Sequence, residues 1–496
     1  MRDKTKIILI VKGVLVGLVA GVIVSIFRLF IELGIDFTKN CYSAGKWWIP
    51  AGLSLVAALV VWALVRWEPG IRGSGIPQVE GELAGDFGPV KHGRVLVAKF
   101  FGGILTGVVG LFVGREGPSI QLGAMSAGVM ADLAKSGERE KKIMISSGAA
   151  AGLAAAFNAP LAGLMFILEE VHHSFAPLLW ITALASALSA NFVSLQIFGL
   201  RPVLDLGMVQ PIMPRNYWVL LVLGVVVGLF ACIYNAVTLN VSRLKIPLWL
   251  PFLLVVPIGM FFTDTLGGGA SLIISEISSH TSLAVLIGLF VLRFVFSTIS
   301  YGSGVPGGIF LPILTLGAFL GLITYSIMNP VVHFAHANLE ATFATLAMAG
   351  LFAAVSKAPI TAIVLVTEMV GHVDNFMMIS VVVIIAYVVA DFLGNEPIYE
   401  ALLEKLLDKE PRIQALSGVR TCFNYNIDIA SALDGAMIRD VRWPDGVIIA
   451  AIIRGEHEFI ASGDSVISAG DLLVVATDKG RKNDVITSLG RLENGN

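Results

Sequence analysis

The sequence predicts a polytopic all-α membrane protein, built from two related halves of broken helices, with a small α+β domain at its C-terminus. Three observations carry this. The first is composition. Of 496 residues 56% are hydrophobic and 14% charged, with mean hydropathy +0.83, whereas soluble proteins average about 25% charged. The second is a set of uncharged windows: Trp47–Val65, Ser174–Leu200, Asn216–Ser242 and Ile246–Thr263 each lack Asp, Glu, Lys and Arg. A membrane-spanning helix needs about 20 such residues. The third is an internal repeat. Ala154-Ala155, Ala159-Pro160 and Glu169 recur 199 residues later as Ala353-Ala354, Ala358-Pro359 and Glu368. Pro118 and Leu122-Gly123-Ala124 recur 194 residues later as Pro312 and Leu316-Gly317-Ala318. Corresponding Gly/Pro-interrupted segments in two halves point to the central binding site of a transporter.

The chain begins Met1-Arg2-Asp3-Lys4-Thr5-Lys6, followed by an apolar run from Ile7 to Phe27. A cleaved signal peptide is not expected, because that run has no small-residue cleavage site. Basic residues ahead of the first span favour a cytoplasmic N-terminus. The loop Lys135–Lys142 is likewise expected on the cytoplasmic side. Net charge is −2, which gives no reason to expect a nucleic-acid partner. Three scattered cysteines, Cys41, Cys232 and Cys422, form no disulfide framework or zinc spacing. The membrane part is expected over residues 1–408, a linker over 409–417, and a soluble domain over 418–496. In that domain Val447–Ile453 and Leu472–Ala476 read as strands. The turns Pro444-Asp445-Gly446 and Ala469-Gly470-Asp471 precede them, and Arg481–Leu489 reads as an amphipathic helix.

Four stretches carry the chemistry. Gly114-Arg115-Glu116-Gly117-Pro118-Ser119 places two charges between apolar segments, and charged residues at such depth mark pathways for ions or protons. Gly73-Ser74-Gly75-Ile76-Pro77 and Gly304–Pro312 also set small residues and a proline where a helix can begin. A helix start offers unpaired N–H donors and about +0.5 of a charge. Several such ends aimed at one point bind an anion without a fixed cation. The fourth is Asn395-Glu396-Pro397-Ile398-Tyr399. Ser74 and Tyr399 add hydroxyl donors. Taken singly, each stretch also reads as an ordinary turn.

Together, GSGIP, GREGP and GGIFLP, in this order and at these separations, resemble the CLC family of chloride channels and chloride/proton exchangers. The resemblance covers residues 7–408. It implies a homodimer in the lipid bilayer, each subunit holding one pore made from two inverted repeats of tilted, broken helices. It implies a chloride site made by the hydroxyls of Ser74 and Tyr399 and the backbone N–H groups of Ile309 and Phe310. Tyr399 also reads as an interfacial anchor. Glu116 matches the family's gating glutamate. Its carboxylate is an anion that competes with chloride, and its neutral form can swing out. A salt bridge to Arg115 is the alternative, disfavoured because adjacent helix residues do not face each other.

Glu169 has a repeat mate, Glu368, which suits a structural role such as bonding backbone N–H groups. Glu170 aligns with Met369. In the family, exchangers carry a glutamate at this second position, so Glu170 points to proton coupling; a solvated helix-end charge is the alternative. His172 and His173 read as proton buffers or as ordinary interface residues. Ser74 favours chloride over fluoride or nitrate, whose transporters depart from the pattern at that position. Lys357 is a lone charge at an interface with no assigned role. The leading expectation is a chloride/proton antiporter, the runner-up a passive chloride channel. A serine hydrolase using Ser74 lacks support, since the nearest histidine, His92, sits in a charged loop. No enzyme activity or metal is expected.

The soluble part, over roughly 415–492, resembles the TrkA-C (RCK-C) regulatory domain of potassium channels and transporters, carried by Trp443–Gly455 and Ala469–Val475. The resemblance implies two-fold pairing and a small ligand, with cyclic di-AMP as one of the class. Ile448, Ile449 and Ile453 read as interface residues or as strand core.

Overall fold

The structure, a computed structural model, describes residues 2–493 except 174, 201, 208, 242–243, 280, 335–338, 410–419, 429–430, 445, 456 and 479–481. The chain divides into two units, Met1–Lys405 and Leu406–Asn496. The expected linker therefore lies almost wholly outside the described residues.

The first unit is helical throughout. Its first half holds α1 (Arg2–Ser43), α2 (Trp48–Trp67), α3 (Ile76–Ala84), α4 (His92–Val108), α5 (Glu116–Leu133), α6 (Glu138–Phe157), α7 (Pro160–Phe166) and α8 (Pro177–Phe198). Its second half holds α9 (Trp218–Val241), α10 (Leu250–Phe261), α11 (Ala270–Ser279), α12 (Leu283–Gly302), α13 (Phe310–Val332), α14 (Glu340–Ser356), α15 (Pro359–Val370) and α16 (Phe376–Phe392). A last helix, α17 (Ile398–Lys409), starts in the fourth motif. Helices α1, α2, α8, α9, α12 and α13 are long and apolar enough to cross a membrane. One expected span is not a single crossing. In Ile246–Thr263, Pro247 lies ahead of the helix, and α10 itself has only 12 residues with Pro257 inside. That is about 18 Å at roughly 1.5 Å per residue, short of the roughly 30 Å bilayer core.

The repeat is visible in packing. Helices α5 and α6 approach backbone to backbone, and a Cβ on Gly123 would lie 2.1 Å from the carbonyl oxygen of Gly148. Their repeat mates do the same, where a Cβ on Gly317 would lie 2.8 Å from that of Ala347. Small residues of this kind drive close helix packing in membranes. Both α6 and α14 end on a non-glycine left-handed residue, Asn158 (φ 54°) and Lys357 (φ 64°). A proline then opens the next helix in each half.

The two halves cap each other. Glu169 accepts from the N–H groups of Ile360 (3.0 Å) and Thr361 (2.6 Å) and from the Thr361 hydroxyl. Glu368 accepts from those of Leu161 (3.2 Å) and Ala162 (2.8 Å). Each glutamate thus satisfies orphan donors at the first turn of the other half's helix, with a charge of the favourable sign. The structural role expected for this pair is what the geometry contains.

The second unit is a four-stranded antiparallel sheet in the order β1-β4-β2-β3, with β1 Arg420–Asn426, β2 Ile448–Arg454, β3 His457–Ile460 and β4 Leu472–Asp478, and a helix α18 (Lys482–Glu493). Strands β2 and β4 and the helix match expectation; Asp445 and Arg481 lie outside the described residues. Strands β1 and β3 were not expected. β3 is four residues long and exposed along its length, so it carries no alternating pattern to read. Of the three isoleucines, Ile449 is buried with Ile452 in the core, Ile453 is half-buried and Ile448 is exposed. A register shift between Ile449 and Ala451 breaks the alternation.

Asp471 closes the turn before β4. It accepts two bonds from Arg454, both 2.7 Å, and one from the Ser468 N–H. Burial alone would push its carboxyl up, but these donors outweigh it and hold the group below its ordinary value. A depressed carboxyl contributes stability above its unfolded value and loses it as pH falls through the folded one. Amide exchange of β2 and β4 in the full chain should therefore accelerate below about pH 3.9, and Asp471→Asn should remove most of that dependence while weakening protection at neutral pH.

Candidate functional site

The glycine stretches of the two halves are stitched together by backbone. Gly114 and Gly308, repeat mates, exchange two N–H to carbonyl bonds of 2.7 Å each in an antiparallel bridge. Gly73 donates to Val305 at 3.2 Å and accepts from Gly307 at 3.0 Å. Two residues beyond the central bridge on either strand, α5 begins at Glu116 and α13 at Phe310. The glycines are needed for proximity. A Cβ on Gly117 would lie 2.2 Å from the Ser74 hydroxyl, and one on Gly308 would lie 3.2 Å from the Gly117 nitrogen. Gly75 sits at φ 95° against Gln121, a conformation that favours glycine.

Ser74, Ile309, Phe310 and Glu116 are thereby brought to one place. Glu116 is fully buried. Its carboxylate lies beside its own N–H and that of Leu311 on α13, yet neither oxygen reaches hydrogen-bond geometry. A carboxylate is therefore held between two helix N-termini without being locked. The Ser74 hydroxyl is buried and has no hydrogen-bond partner. The N–H groups of Ile309 and Phe310 stand at a helix start, where no intrahelical partner exists. The Phe310 ring packs on Phe157, Phe166 and Phe352. Phe166 in turn meets Tyr399 edge to face, with centroids 6.3 Å apart. Tyr399 is fully buried, and its hydroxyl also has no partner. Burial is at odds with an interfacial anchor.

The Arg115–Glu116 ion pair of the alternative reading is present, though loose. Arg115 comes within 3.9 Å of Glu116 but bonds Glu32 at 2.7 Å. Glu32 also pairs with Arg28 at 2.9 Å. Arg115 and Glu32 line a cavity of about 290 Å³, together with Lys39, Asp36, Gly114 and Leu311. The cavity reaches the helix start that carries Glu116.

Several supporting residues were not legible in the sequence. Lys99 is fully buried and donates to the carbonyls of Ile71 (3.0 Å) and Gly73 (2.8 Å), fixing the loop that presents Ser74. Its only sequence signal was being the one charge in an apolar segment. Thr106 bonds the Pro306 carbonyl at 2.7 Å. Arg293, also buried, binds the carbonyls of Thr265 and Gly267 at 2.7 and 2.8 Å, and that of Gly268.

Glu170 is buried in a π-helical turn, Ile167–Val171, and one of its oxygens is unpartnered. A solvated helix end is therefore excluded. His92 does not sit in a loop, as its charged neighbours Lys91 and Arg94 led one to expect. It heads α4, buried, with its ring nitrogens 2.6 Å from Glu82 and 2.6 Å from Asp132. Both nitrogens are occupied and the Ser74 hydroxyl has no partner, so His92 and Ser74 are not paired. Lys357 pairs with Asp391 at 2.9 Å.

The profile of the voltage gated chloride channel family matches residues 56–391, and that of the TrkA-C domain matches 424–489. The chain is 32% identical over 441 residues to the H(+)/Cl(-) exchange transporter ClcA of Yersinia pestis, covering 84% of this chain and 91% of the relative. It is 33% identical over 455 residues to ClcA of Citrobacter koseri, covering 86% and 94%. A crystal structure of a slow cyanobacterial Cl-/H+ antiporter superposes with a TM-score of 0.75 at 30% identity, covering 82% of this chain and 99% of that one.

Lys99→Met should leave the buried Ile71 carbonyl unpaired, at a cost of roughly 1–3 kcal/mol, and strip the Gly73 carbonyl of one of its two donors, Gly307 N–H remaining. Thermal unfolding in detergent should show a lowered midpoint, and Glu116→Gln, which keeps the side-chain shape, should change it far less.

Proposed function

The chain belongs to the voltage gated chloride channel family, and on that premise we propose that it is a secondary active exchanger of chloride for protons across the cell membrane. One observation carries the reading: the fully buried Glu116 carboxylate lies between the N-termini of α5 and α13, facing its own N–H and that of Leu311. Unpaired N–H groups and aligned helix dipoles favour an anion there. Chloride takes the same place when the carboxyl gains a proton, loses its charge and moves aside. Proton and chloride occupancy then exclude each other, which is the basis of exchange. The unpartnered hydroxyls of Ser74 and Tyr399 and the N–H groups of Ile309 and Phe310 supply donors for the dehydrated ion. Glu170, buried and absent from the second half's repeat, receives the proton on the inner side.

The protein works as a homodimer with both termini cytoplasmic. The tail pairs two-fold and takes a small ligand, cyclic di-AMP being the candidate. Exposed Ile448 on β2 and the open edge of β3 support a pairing surface.

Simultaneous chloride and proton flux from liposomes tests the exchanger against the passive channel. Chloride flowing down its gradient should drive protons uphill. Glu116→Ala should keep chloride flux but lose proton coupling and pH dependence. Glu170→Ala should uncouple protons while chloride still flows. Unchanged proton pumping in either variant sinks its assigned role. For the tail, cyclic di-AMP should release or absorb heat on titration and change chloride flux; neither response in the purified protein removes the ligand.

A further inference from the structure

An exchanger must bring protons to a carboxyl that water does not reach. Glu170 is 3% exposed. The charges acting on it most strongly are Glu80 on α3, then Glu400 on α17, then its neighbour Glu169. Glu80 and Glu400 do not stand alone. An oxygen of Glu80, a ring nitrogen of His173 and an oxygen of Glu400 all lie within 4.8 Å of one another. His173 Nε2 is 3.0 Å from Glu400 Oε1. Exposure rises along this set, from 9% for Glu80 to 44% and 56% for the side chains of Glu400 and His173. The three residues come from three separate segments of the chain, so their convergence is a product of the fold. His173 also adopts φ 48°, a left-handed backbone that histidine adopts more readily than most non-glycine residues, and its neighbour His172 turns instead to the Ser146 hydroxyl at 2.7 Å.

Resting on the exchanger reading, we propose that His173, Glu400 and Glu80 form a proton relay from solvent to Glu170, with His173 as the point of exchange with bulk water. The imidazole takes a proton from water. The imidazolium passes it to the Glu400 or Glu80 carboxylate within the cluster, returning to neutral imidazole as the carboxylate becomes a carboxylic acid. Glu80 then hands the proton to the Glu170 carboxylate, directly or over one water, and regains its own negative charge. Each step moves one proton and consumes no other reactant. Imidazole suits the outer position because it titrates near neutrality, and the hydrogen bond to Glu400 raises it above its ordinary value. The other groups that face the relay are Asp86 beside Glu80, the Glu169 carbonyl beside His173, Tyr399 beside Glu170, and Lys142 beside His172. The cluster is invisible in sequence, where Glu80, His173 and Glu400 are separated by 93 and 227 residues.

The test uses full-length protein in liposomes, reading proton and chloride flux between pH 5 and 8, with chloride affinity by calorimetry as a check on folding. His173→Ala should lower proton flux about 10-fold or more and flatten its rise around neutral pH, with chloride affinity unchanged. Added imidazole should restore a large part of the proton flux in this variant and do nothing to the wild type. Glu400→Gln should shift the pH profile of proton flux without abolishing it. A His173→Ala protein that pumps protons at the wild-type rate and with the wild-type pH profile overturns the relay and leaves the exchanger reading standing. So does a loss that imidazole fails to restore. A wild type that moves no protons sinks the exchanger reading and the relay with it.

Discussion

Two backbone hydrogen bonds between Gly114 and Gly308, 2.7 Å each, are the constraint on which the rest of the membrane unit depends. They join equivalent points of the two halves, so the helices that begin just beyond them start side by side. One helix N-terminus is a weak anion site, and two within a side-chain length of each other, shielded from water, are a stronger one. The bridge also explains the glycines. A methyl group at Gly114, Gly117 or Gly308 would meet the Glu116 carboxylate, Ser74 or the opposing backbone. Residues of the site are therefore set by how closely two main chains must pass, more than by their own chemistry.

The same two-fold logic separates neighbouring glutamates. Glu169 and Glu368 are each spent on helix starts in the opposite half, where their charge is satisfied by N–H donors. Glu170 keeps an unpartnered oxygen, Glu116 faces the N–H groups at the starts of both α5 and α13, and neither has a glutamate as its repeat mate. A buried carboxyl left without partners costs free energy, and such costs persist where function needs them. Asymmetry between the halves is thus where the chemistry sits, while symmetry carries the scaffold.

Buried cations follow a related rule. Lys99 and Arg293 do not pair with carboxylates; they gather backbone carbonyls from loops that bend near the site. They stiffen the loops while keeping a fixed positive charge committed elsewhere than the anion position. Arg115 is likewise engaged by Glu32 on the cavity wall at 2.7 Å and stands only 3.9 Å from Glu116.

The sequence by itself determined the membrane class, the two related halves, three of the helix starts and the α+β tail. These rest on hydropathy, on glycine and proline punctuation and on repeat spacing, all of which are local or periodic signals. Glu116, Ser74 and Tyr399 stood out in those punctuated stretches, whereas Ile309, Phe310 and Glu170 were singled out by the resemblance to the CLC family. Only the tertiary structure decided the rest. The Gly114–Gly308 bridge, the crossed glutamate caps, the carbonyl-binding Lys99, and the convergence of Glu80, His173 and Glu400 join residues that are far apart in the chain. A short α10 and an exposed β3 were misjudged or missed for the same reason in reverse: an uncharged window does not say where prolines divide it, and a four-residue strand is defined by its neighbour rather than by a pattern of its own. Contacts between segments have no signature in one chain's order of residues, and both the surroundings of Glu116 and the Glu80–His173–Glu400 cluster are built from such contacts.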